Sequence, residues 1–292
     1  VSALGVLALG VAGAAVWMTI SDEPASESRG VRDGSLESDG SSTADQPTSD
    51  RRADSEAILD GCGQSELLAI PGTDISIEPM SLEQERSVGD ETRSFVLQQY
   101  QISGDGDTQA LLEDLLNDMR PANTEIDFTV TLLDSSEVNA FAIPGGDLFF
   151  TTAISSLMTE DELAFVMGHE VGHVVCRHLA QQFEREALLT AGLDALLGTE
   201  IDTGRLYAEA AATVLNDVAD LGFSREDELE SDMAALDLLE VASRPLSSGP
   251  AALRALQGSE ADLEPNEIEV FFSTHPPTSE RIEQLEAEIA QR

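Results

Sequence analysis

The residues with the clearest chemical meaning are His169-Glu170-Val171-Gly172-His173. On a helix, four residues turn about 400°, so the two histidines lie roughly 40° apart on one face. Two imidazoles one turn apart can grip a single Zn²⁺ at about 2.0–2.1 Å each. Glu170 falls about 100° round from His169, within reach of a water at the metal without being a ligand. The chain has only four histidines, so this spacing is hard to reach by coincidence. A catalytic zinc needs a third protein ligand and an open fourth position. The candidates lie in Ser224-Arg225-Glu226-Asp227-Glu228-Leu229-Glu230-Ser231-Asp232, where Glu228 and Asp232 are i and i+4 on one helix face. Glu228 can bind the metal while Asp232 takes the free N–H of a ligand imidazole. On spacing alone, Glu228 competes with its acidic neighbours and with an ordinary solvated face.

The elements that must hold these residues are legible in outline. Thr159 and Glu162 form a capping-box pattern, which starts a helix expected to run through the histidines to about Phe183. On that continuous helix His178 faces away from His169 and has a structural role. Cys176, two turns beyond His169 and about 10 Å along the axis, is too far to share its ion and reads as a small buried apolar residue. Ser224 caps a second helix from Arg225 to about Val241. Ser81, with Gln84 three residues on, opens a helix to about Gln101 that contains Gly89. Thr108 to Met119 reads as a helix, residues 185–221 as more helix, and Thr278 to the C-terminus as the last one. Ile126, Phe128, Val130 and Leu132 alternate with polar residues, the pattern of a half-buried strand. Ala140–Ile143 and Leu148–Thr152 flank Pro144-Gly145-Gly146-Asp147 as a hairpin. Helices, a small sheet and then mostly helices make the class α+β with a dominant helical part.

Four motifs, taken in order, give the chain a resemblance. Asn139-Ala140-Phe141-Ala142-Ile143-Pro144-Gly145-Gly146 comes first. His169-Glu170-Val171-Gly172-His173 follows, with Arg177-His178 behind it. Ser224-Arg225 precedes Glu228 and Asp232, and Ser273-Thr274-His275-Pro276-Pro277 precedes Arg281-Ile282. Together they resemble the gluzincin zinc peptidases that include the CAAX prenyl endoprotease, the heat-shock membrane protease HtpX and periplasmic or mitochondrial quality-control peptidases. The resemblance covers about residues 80–290 and departs at Ser231, where the family has alanine. It implies a zincin-like fold with a small sheet beside the active-site helix, and one Zn²⁺ per chain on His169, His173 and Glu228. It also implies Glu170 as catalytic base and Asp232 behind a ligand. Asn139 and Ala140 would bind substrate as an added strand, and Arg281 would tie the last helix to a carboxylate. His275 would be catalytic, either as an oxyanion donor or as a latch on the open zinc position; a helix-capping role is the bland alternative. The substrates implied are polypeptides, cut internally. A zinc-bound client-binding protein with little proteolysis and a prenyl-protein endoprotease are the alternatives.

Composition narrows the setting. The chain has 292 residues, 56 acidic against 15 basic, for a net charge of −41; every basic residue is arginine. A field of that sign repels phosphate backbones and argues against nucleic acid as a partner. Residues 1–20 carry no charge and are long enough to cross a bilayer as a helix, so they read as a signal peptide or an N-terminal membrane anchor. Residues 21–57, rich in Ser, Asp, Gly and Glu, read as a disordered acidic linker. The 46 acids and 11 arginines of residues 58–292, net −35, then belong to the folding metallopeptidase domain. A hydrophobic start without a following basic cluster places that domain in a bacterial periplasm or on the outer face of the inner membrane. Cys62 and Cys176 make at most one bridge.

Overall fold

The computed structural model describes residues 62, 67–122, 124–198, 202–207, 222–259, 275 and 279–292, all within Pro47–Arg292, one of the chain's two compact units. The N-terminal apolar segment and the acidic linker lie outside the described residues. Among the described residues, no helix is long and apolar enough to cross a membrane.

A short ribbon of β1 (Leu68–Ala69) and β2 (Ser76–Ile77) precedes helix α1 (Leu82–Gln99). Ser81 and Gln84 close the expected capping box on α1. Strand β3 (Gln101–Ile102), helix α2 (Gly106–Met119) and strand β4 (Thr129–Asp134) follow. Next come β5 (Ala140–Ala142) and β6 (Asp147–Thr151). The main sheet has the order β3-β4-β6-β5, with β4 and β6 parallel and the other pairs antiparallel. Helix α3 (Thr152–Leu157), which the sequence did not announce, leads into α4 (Glu160–Val175), the helix with both histidines. Then come α5 (His178–Leu197), α6 (Arg225–Val241), α7 (Ser248–Ser259) and α8 (Ser279–Ile289). The fold is α+β and mainly helical, as expected.

Two expectations need correcting. Strand β4 is not half-buried: Val130, Thr131, Leu132 and Leu133 are all buried. It is an inner strand covered on both faces. Val130 and Leu132 enter the main core with α2, α4 and α6, while Leu133 packs with Val96, Ile143 and Phe149 on the other side. The histidine helix does not run to Phe183. It ends at Val175, Cys176 caps it, and Arg177 turns the chain in the left-handed region at φ 58° before α5 begins. A left-handed arginine costs energy and persists only where its surroundings fix it. Here the guanidinium is anchored: Nε donates to Glu85 at 2.7 Å, and Nη2 donates to the Met80 carbonyl at 2.7 Å and to Glu184 at 3.1 Å.

Two glycines set the distances that matter at the site. Gly172, inside the histidine motif, faces α6, where an added Cβ would lie 3.1 Å from both Ser231 Cα and Ala234 Cβ. The bare backbone therefore lets α4 and α6 approach closely. Gly89 does the same for α1 against the β5–β6 turn, since a Cβ there would sit 2.0 Å from the Pro144 carbonyl oxygen.

Candidate metal centre

Helix α4 points both histidines inward. His169 Nε2 and His173 Nε2 lie 3.0 Å apart. Helix α6 supplies Glu228, whose oxygens lie 3.7 Å from His169 Nε2 and 3.4 Å from His173 Nε2. His275 completes the cluster with Nδ1 2.9 Å from Glu228 Oε1 and 3.4 Å from His169 Nε2. All four side chains are buried. Donors on one tetrahedral zinc, each at about 2.0–2.1 Å, stand roughly 3.3 Å apart, so the spacing suits such an ion. The donor set of imidazoles and one carboxylate suits zinc as well.

The Glu170 carboxylate is fully buried, and neither oxygen has a hydrogen-bond partner among the described residues. Its nearest cation-capable neighbour is His275, with Nε2 at 3.6 Å. Burial pushes the Glu170 pKa up, against the opposing influence of His275 and His169. A buried carboxyl is costly to ionise, and a group with its pKa raised in this way can exchange a proton.

Charge is arranged differently on Glu228. Burial alone would raise the Glu228 pKa, but His275, His173 and Arg281 outweigh it and hold Glu228 well below the usual range. Burial pushes the His173 pKa well down, leaving a neutral imidazole with a lone pair for a metal. Behind His169, Nδ1 lies 2.9 Å from Asp232 Oδ1. Arg281 of α8 grips Asp232 twice, Nε and Nη2 each at 2.7 Å, and also contacts Glu228. Burial would raise the Asp232 pKa; Arg281 and His169 bring it down instead.

The site abuts β5, the edge strand of the sheet. Thr151 N–H donates to the Asn139 carbonyl at 3.0 Å, and Ile143 N–H to the Asp147 carbonyl at 3.0 Å. Alternation then turns the main-chain groups of Ala140, which is buried, and Ala142, which is half-buried, away from β6. The Ala142 backbone also favours the ionised form of Glu170. Asn139 keeps its main chain on Thr151, and its buried amide oxygen has no partner among the described residues. Phe223, just before α6, stacks on His173 with ring centroids 3.9 Å apart.

The structure thus brings His169, Glu170, His173, Glu228, Asp232 and His275 together, with Ala140 close by. Sequence reasoning missed three residues. Ala142 belongs with Ala140 by strand alternation, a signal that needs the register. Phe223 carried no pattern. His178 was assigned away from the site by a face argument that assumed an unbroken helix; the turn at Arg177 brings its ring back, with Nδ1 2.9 Å from His173 Nδ1. Cys176 is buried, as expected, and forms with Cys62 the one bridge that the sequence allowed.

This constellation has counterparts in known proteins. The model of peptidase family M48 matches residues 104–289, more than half of the chain and every element from α2 through α8. The chain belongs to peptidase family M48. Among its M48 relatives, the metalloprotease YcaL of Escherichia coli K12 is 28% identical over 159 residues, which is 53% of this chain and 60% of YcaL. The bovine mitochondrial metalloendopeptidase OMA1 is 28% identical over 179 residues, 59% of this chain and 34% of OMA1. The metalloprotease LoiP of Escherichia coli K12 is 26% identical over 155 residues, 52% of this chain and 58% of LoiP. The chain thus spans from about a third to three-fifths of the length of these relatives.

Proposed function

We propose that this chain is a zinc-dependent endopeptidase in which His169, His173 and Glu228 hold one Zn²⁺ and Glu170 is the catalytic base. The observation that carries this reading is the convergence of those three donors beside the buried Glu170 carboxylate. When bound, zinc supplies Lewis acidity for the scissile carbonyl and the attacking water. Glu170 takes the proton of that water and returns it to the leaving amine. Asp232 holds His169 through Nδ1, and Arg281 holds Asp232 in turn. The outward main-chain groups of Ala140 and Ala142 bind an extended peptide as an added strand, with Asn139 beside them as a further substrate contact. An edge strand beside the centre suits unfolded or loosely folded polypeptide segments, and that substrate class supports a role in envelope protein quality control. Residues 58–292 form the peptidase unit. We place it in a bacterial periplasm or on the outer face of the inner membrane, with residues 1–20 as signal or anchor and 21–57 as tether.

His275 acts at the same centre. Its Nδ1 lies among the donors, which supports a latch on the fourth position over an oxyanion donor. His275→Ala should then raise basal cleavage; a fall of about 10²–10³-fold would make it an oxyanion donor instead. The overall reading is tested by cleavage of an unfolded model protein such as casein, with and without a zinc chelator. Cleavage that chelator abolishes and zinc restores is expected. Binding of the unfolded protein without cleavage would point to a client-binding protein.

A further inference from the structure

Both ligand imidazoles turn Nε2 toward the centre, so each has an Nδ1–H to satisfy elsewhere. For His169 the group nearest Nδ1 is the Asp232 carboxylate, at 2.9 Å. For His173 it is another imidazole, at 2.9 Å between the two Nδ1 atoms. Two ring nitrogens this close must be one donor and one acceptor. The far side of His178 decides which. Its Nε2 lies 2.9 Å from Glu230 Oε2 and 3.8 Å from Asp227 Oδ1. An ionised carboxylate only accepts, so in an imidazole with a single proton Nε2 carries it and Nδ1 offers a lone pair. The His173 Nδ1–H donates into that lone pair, which leaves His173 Nε2 bare for a metal.

We propose that His178 is a positioning residue for the zinc, fixing the tautomer and aim of His173, while Glu230 fixes the tautomer of His178 from the surface. This rests on the zinc reading given above. His178 is 1% exposed, whereas the Glu230 side chain is 45% exposed. The relay therefore runs from the buried ion site to solvent. Ser231 stands beside it, its buried hydroxyl 3.3 Å from His178 Nδ1. The serine that departs from the family's alanine thus has a partner in the residue that orients His173. Arg177 makes the arrangement possible, because its left-handed turn starts α5 at His178 and folds the ring back onto α4. Partners of this kind behind a ligand histidine typically change metal affinity by about 10–100-fold.

The test measures zinc affinity of the full chain by competition with a chromogenic chelator, alongside melting of each zinc-free protein. His178→Phe should bind zinc about 10–100-fold more weakly. His178→Asn, whose amide oxygen stands near the place of Nδ1, should recover most of that loss. Glu230→Ala changes a half-exposed side chain and keeps the fold; it should weaken zinc in the same direction, with an unchanged zinc-free melting midpoint. Wild-type affinity in both His178→Phe and Glu230→Ala would overturn the proposal. So would a His178→Asn protein that is folded yet as weak as His178→Phe, since packing alone would then explain the effect. If His178→Phe does not fold, His178→Asn and Glu230→Ala decide: wild-type affinity in Glu230→Ala then overturns the proposal. A wild-type chain that takes up no zinc would instead refute the zinc reading itself.

Discussion

The two histidines proposed to hold zinc, His169 and His173, are held from behind in opposite ways. His169 leans on Asp232, a buried carboxylate clamped by the buried guanidinium of Arg281. His173 leans on the His178 imidazole, whose own partner, Glu230, reaches solvent. The first side is a closed charge network linking α4, α6 and α8. The second is a relay at the end of α4, next to a turn fastened by Arg177 and by the Cys62–Cys176 disulfide. A buried charge pair makes a site rigid but expensive to break. A relay that ends on a half-exposed side chain costs less to alter. The two sides should therefore separate stability from metal affinity.

The largest effect should come from the closed side. Arg281→Met strands two buried carboxylates, Glu228 and Asp232, and should cost roughly 3–5 kcal/mol in the zinc-free protein, read as a loss of chemical-denaturation stability. The pH dependence follows with its sign. Arg281 outweighs burial and holds the folded Asp232 pKa below its ordinary value. The stabilisation is therefore full above the ordinary aspartate range and is lost as pH falls through the lower, folded value. Without Arg281 burial raises that pKa, so acid unfolding followed by circular dichroism should begin at higher pH than in wild type.

The disulfide comes next. It spans 114 residues of sequence, and removing a bridge across so long a loop should cost roughly 2–5 kcal/mol. Cys62→Ser with Cys176→Ser, melted beside the oxidised wild type, measures this. A smaller loss, about 1–3 kcal/mol, is expected for Gly89→Ala, because the new Cβ would press on the Pro144 carbonyl and push the β5–β6 turn from α1. The smallest effect belongs to the open side: Glu230→Ala should leave zinc-free stability within about 0.5 kcal/mol of wild type. A large loss there, or none in Arg281→Met, would erase the contrast between the two sides.

What the sequence revealed depended on how local the signal was. The Ser81–Gln84 and Thr159–Glu162 capping boxes are four-residue patterns, and both helix starts were read correctly. His169, Glu170 and His173 came from helical spacing alone, while singling out Glu228 needed the resemblance to a family. The end of α4 was missed because nothing in Cys176-Arg177-His178 breaks a helix by propensity. The turn is imposed by Glu85, Glu184 and Met80, which lie 92, 7 and 97 residues away from Arg177 along the chain. That single missed turn also hid the role of His178, because a face assignment at about 100° per residue fails once the helix stops. The burial of β4 on both faces, and the outward turn of Ala142, depend on strand order and register that alternation within one segment does not contain.

The central claim is that Glu170 is the base of a zinc site built by His169, His173 and Glu228. Purified Glu170→Gln and Glu228→Ala proteins, analysed for bound zinc and for cleavage of an unfolded substrate, test it most directly. Glu170→Gln should retain one zinc per chain and lose cleavage, while Glu228→Ala should lose both. A Glu170→Gln protein that still cleaves, or a Glu228→Ala protein fully loaded with zinc, would contradict the account.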